Sequence, residues 1–103
     1  MFNKVHGKLK NIDFNALYEI RHIMAATLGL VVVKAPEEDM IVLKWVMTGM
    51  DSATFIFNKA SEDSVKYSIS AGERQIALNF RAKLGRFLYS KGLVDEKTRT
   101  KML

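Results

Sequence analysis

The chain has 103 residues, 49% of them hydrophobic and 26% charged, with no Cys, one Pro and a formal net charge of +5. That length suits a single domain over residues 1–103, and the composition is that of a globular rather than a disordered chain. A chain without cysteine has no disulfide framework or thiolate metal site, which points to a reducing, cytoplasmic setting. No apolar run approaches the roughly 18 residues of a membrane span, and residues 1–10 lack the apolar core of a signal peptide.

Residues 4–10 alternate, with Val5, Gly7 and Leu9 on one side and Lys4, His6, Lys8 and Lys10 on the other. A period of two predicts a short strand with a cationic face. A basic arm over 1–12 is the alternative, because Gly7 weakens a strand and Asn11 breaks it. Asp13 is a good N-cap for a helix over residues 13–28. Its apolar side holds Ala16, Leu17, Ile20, Ile23, Met24 and Leu28, and Gly29 supplies a left-handed stop.

Leu30-Val31-Val32-Val33 is a β-branched run of buried-strand type. Pro36, with Glu37, Glu38 and Asp39 after it, turns the chain. Strands follow at 40–48, 54–59 and 64–70, with Phe55 and Phe57 sharing a face, and residues 49–52 form a hairpin-length connection. Ser70-Ala71-Gly72-Glu73 has the capping-box form and opens a last helix that stops near Gly92. The residues over 93–103 read as a frayed tail. The fold class is α+β: a helix, an antiparallel meander of three to four strands and a C-terminal helix, with an extra N-terminal strand or arm. Both helices pack mainly on one face.

The last helix carries most of the functional signal. Ile76, Ala77, Phe80, Leu84, Phe87 and Leu88 form its core stripe. Opposite lies a narrower stripe of Leu78, Ala82, Gly85 and Tyr89. Gly85 weakens a helix, so its presence implies close approach by another backbone. These four residues are the candidate partner or homodimer interface, unless the N-terminal segment covers them.

Charge is unevenly placed along the chain. Residues 1–12 carry +3, residues 13–73 carry −4 and residues 74–103 carry +6. Basic ends around an acidic middle imply a positive surface meeting an anionic partner. The candidate nucleic-acid contacts are Arg74, Arg81, Lys83, Arg86 and Lys91, assisted by Lys4, Lys8 and Lys10. Catalysis finds no support. His6 and His22 stand far apart without ligand-like carboxylate spacing, and Glu37-Glu38-Asp39 reads as a solvated turn. The scattered glycines make no phosphate-cradling loop. We expect no enzyme activity, cofactor or metal.

The order helix, three strands, helix is similar to that of double-stranded-RNA-binding domains. Here the second helix opens Gly72-Glu73-Arg74-Gln75, without that family's lysine cluster, and the loop Ala35-Pro36-Glu37-Glu38-Asp39 is acidic. The likeness is one of topology. Separately, Asp13-Phe14-Asn15-Ala16-Leu17-Tyr18-Glu19, Asp39-Met40-Ile41-Val42, Gly49-Met50-Asp51 and Thr54-Phe55 resemble stretches of small phage proteins that counteract the host's nucleoid-structuring protein. That resemblance implies binding and inhibition of a host DNA-associated protein. The sequence therefore favours nucleic-acid binding through the last helix, with binding of a host protein as the alternative.

Overall fold

Alternating side chains place β1 (Asn3–Lys10) at one edge of a five-stranded antiparallel sheet, and Val5 and Leu9 are buried from it. The computed structural model describes residues 3–45 and 53–103. After β1 come α1 (Phe14–Glu19), α2 (Arg21–Leu28), β2 (Val31–Val33), β3 (Met40–Lys44), β4 (Ala53–Ser61), β5 (Ser64–Ala71), α3 (Arg74–Ser90) and α4 (Glu96–Lys101). The strand order is β1-β5-β4-β3-β2. Beyond Lys44, the Trp45 N–H donates to the Ala53 carbonyl and continues the pairing. The rest of the strand expected over 40–48 and the connection at 49–52 lie outside the described residues.

One core joins the sheet to the helices. Val5, Leu9, Ile41, Leu43, Phe55, Phe57, Val65 and Ile69 meet Leu17, Met24, Leu28, Phe80, Leu84 and Leu88. Registry explains this: Val5 pairs with Ile69, Phe55 with Ile69 and with Leu43, so one face of each strand points the same way. Val42 is buried yet stands apart from that core, on the other side of the sheet. Among the described residues, the helices thus cover one face and leave the other open.

Three expectations change, and one choice between alternatives is settled. The helix over 13–28 is two helices, broken at Ile20 (φ −103°, ψ 13°). There the Ile20 N–H bonds Leu17 O, while the Arg21 guanidinium takes the Tyr18 carbonyl at 2.8 Å and lies 3.7 Å over its ring. Ile23, expected on the apolar side, is 53% exposed. Asp13 does cap, accepting from Asn15 N, and Gly29 does close α2 at φ 73°.

Second, the capping box does not form. Pairing of β5 with β1 and β4 runs through Ala71, so Ser70 stays in the sheet and Glu73 is an N-cap without a side-chain bond. Third, β1 is a strand, not an arm, and Gly7 has a positive role in it. Tyr67 packs directly across from Gly7, where a Cβ would lie 2.7 Å from the phenol oxygen. Asn11 ends the strand in the left-handed region (φ 58°).

Fourth, the tail is ordered. Asp95 caps α4 by accepting from Thr98 N at 2.8 Å, and Met102 behind it is 3% exposed. That backbone hydrogen bond first, and then the Thr98 side chain, hold the Asp95 carboxyl below its ordinary value. Among the described residues, no helix is long and apolar enough to cross a membrane.

Candidate functional site

The open face is set by strand alternation. β1 presents Lys4, His6, Lys8 and Lys10 there, all exposed, at about 6.8 Å intervals along the strand. β5 adds Ser68, Ser70 and Lys66, and Lys66 stands directly opposite Lys8 in the register. Two ammonium groups facing each other across strands repel. None of the five strands contains Asp or Glu. Among the described residues, the one ion pair within 4 Å is Arg99–Glu96 on α4. The lysine row is therefore uncompensated charge on an open sheet. Towards β2 the face turns apolar, with Ile56, Val42, Met40, Val33 and an exposed Val31, before Lys44. The strand aromatics Phe55, Phe57 and Tyr67 all point into the core.

The α3 cations do not join this row, because α3 lies across the sheet from it. Arg81 is committed within the chain: its guanidinium donates to the carbonyls of Met102 and Leu103, each at 3.3 Å. Lys91 is the α3 C-cap, and its Nζ lies 5.8 Å from the centre of the Phe87 ring. Arg74, Lys83 and Arg86 are exposed on the helix layer. The single footprint expected from Lys4, Lys8, Lys10 and the α3 cations is two separate surfaces. Lys66 was missed because its meeting with Lys8 depends on a strand pairing that no local pattern reveals.

The stripe read as a partner or dimer interface is covered by the chain's own end. Gly85 is buried, and a Cβ there would sit 3.0 Å from Met102 Cβ and 3.5 Å from the Arg99 carbonyl. Arg99 lies 5.1 Å over the Tyr89 ring, while Leu78 and Ala82 are half-buried. The close backbone approach inferred from Gly85 is real, and α4 makes it. Gly85→Leu should expel Met102, costing on the order of 1–3 kcal/mol. Faster proteolytic cleavage between residues 95 and 103, with the remaining core intact, would record that loss.

Between α1 and the β2–β3 connection lies a cleft of about 690 Å³, bordered by Arg21, His22, Lys34 and the exposed Glu37, Glu38 and Asp39. Among the described residues no three His, Asp or Glu side chains converge as metal ligands do. Tyr67 is held above its ordinary pKa of 10.0 by burial, against a smaller opposing pull from Arg81. The fold thus favours the neutral phenol. Stability from this group is complete below about pH 10 and declines as pH rises through the raised value. Alkaline unfolding curves should be flatter for Tyr67→Phe than for the unaltered chain.

No protein-family model matches the chain, and no match emerges among curated proteins or solved structures.

Proposed function

We propose that the chain is a non-enzymatic nucleic-acid-binding protein that meets phosphates with the open face of its sheet. The observation carrying this reading is the row Lys4, His6, Lys8 and Lys10 beside Lys66, on a sheet whose strands hold no carboxylate. Such a surface keeps like charges together at a cost that an anionic partner relieves. With Phe55, Phe57 and Tyr67 turned inward, His6 is the one ring that the described strand residues of this face offer for base stacking. Contact is then to the phosphate backbone, indifferent to base sequence and steep in salt.

Four lysines at phosphates predict a slope of about −3.6 in log affinity against log salt on duplex and about −2.8 on a single strand. Filter binding with a labelled oligonucleotide over a salt series measures it. No detectable retention at low salt would refute the reading.

A further inference from the structure

The helix layer holds a second surface that shares no residue with the sheet face. A groove runs between α2 and α3, floored by Leu28 and Phe87, with a volume of about 380 Å³. Thr27 forms one lip and Lys83, Arg86 and Ser90 form the other. Leu28 and Lys83 also border a second hollow of about 370 Å³, which reaches Phe80 and Trp45. One turn before Thr27, on the same side of α2, Ile23 is 53% exposed.

Charge and hydrogen bonding narrow what this groove can hold. Neither α2 nor α3 contains a single Asp or Glu, so the cationic lip has no counter-charge on either helix. The hydroxyls on the lips are already donating, Thr27 Oγ1 to the Ile23 carbonyl and Ser90 Oγ to the Phe87 carbonyl. What remains for a ligand is a narrow apolar floor, with Leu28 and Phe87 4% and 5% exposed, an exposed isoleucine, two hydroxyls that can still accept and two cations on one side. A phosphate backbone would use the cations and waste the rest.

We propose that this groove docks an acidic amphipathic helix of a partner protein. Two neighbouring helices make a natural seat for a third, at about 8–10 Å between axes. Apolar residues at i, i+3, i+4 and i+7 of the incoming helix meet Leu28, Phe87 and Ile23, and carboxylates along its flank meet Lys83 and Arg86. Along α3 the two hollows span Ile76 to Ser90, about 21 Å, which is about four helical turns.

The chain carries its own reporter. Trp45, its single tryptophan, lies edge-on to Phe80 at 5.6 Å between ring centres, at one end of the groove. A synthetic helix of about 18 residues, leucine at heptad a and d positions and glutamate on the flanks, is titrated against the full chain. Its isomer with lysine for glutamate is the control. The glutamate peptide should shift Trp45 emission saturably and the lysine peptide should not. Lys83→Glu/Arg86→Glu and Ile23→Ser should each weaken binding at least about tenfold, with unchanged melting curves because all three side chains are exposed. No saturable shift, equal response to both peptides, or indifference to these variants would overturn the proposal. Displacement of the peptide by an oligonucleotide from a Lys4→Glu/Lys8→Glu variant would overturn it too, by giving the groove to nucleic acid.

Discussion

Lys4→Glu/Lys8→Glu should lower affinity for an oligonucleotide about a hundredfold at moderate salt and reduce the salt slope by about two. Both side chains are exposed on the open face of β1, clear of the core formed by Val5 and Leu9, so the fold should survive the change. The effect is large because each reversal removes one phosphate contact and adds one repulsion, beside Lys66 and Lys10 that remain. Lys83→Glu/Arg86→Glu is the informative comparison. It makes the same change in net charge, yet across the sheet, and should alter affinity less than about threefold. If the two variants exchange these outcomes, α3 is the nucleic-acid surface and the sheet face is not.

The comparison works because the fold divides a charge pattern that is continuous in the sequence. Lys4, Lys8 and Lys10 show a period of two, and their common face is evident from β1 alone. The α3 cations are equally evident on a helical wheel. Their separation follows from sheet order and from the helices covering a single face, which no local pattern encodes. Glu73 makes a related point. Ser70-Ala71-Gly72-Glu73 is a sound capping box locally, but Ser70 is claimed by pairing with Lys4 and Thr54. Two ladders of strand hydrogen bonds outweigh one cap.

The break at Ile20 escaped the periodicity for another reason. The helical stripe 13–28 is apolar enough to fit either one helix or two, and the Arg21 contact with Tyr18 that accompanies the break leaves no mark on periodicity. α4 was hidden because none of its own residues is buried and Met102, buried just beyond it, marks no periodic face. Gly85 nonetheless signalled a close approach. It marked the contact without identifying the chain that makes it. By contrast, Gly29 as the α2 stop and the α3 core stripe needed only local chemistry, and both were legible.

Gly7→Val should destabilise the chain by about 2–3 kcal/mol, and the sign of that change is itself the test. Valine favours strands over glycine, so propensity alone would raise stability at this edge position. Space decides otherwise. A Cβ at Gly7 would lie 2.7, 2.8 and 2.9 Å from Oη, Cζ and Cε1 of Tyr67, so the ring must move. That ring is 7% exposed and belongs to the central core. Displacing it strains β1 and the core packing around the ring.

Thermal melts of Gly7→Val, Tyr67→Leu and the double variant separate the causes. With overpacking, the double variant should be more stable than the sum of the single losses predicts, a favourable coupling of about 1–2 kcal/mol. Additive losses, or a stabilised Gly7→Val, would mean that the glycine is not there to admit the ring. The same variant bears on function. Tyr67 seated on Gly7 lets β1 lie against β5 in the register that sets Lys8 beside Lys66. If that seat is lost, oligonucleotide affinity should fall although no lysine has been touched. In the Gly7→Val/Tyr67→Leu variant, affinity and stability should both fall by less than the two single losses combined.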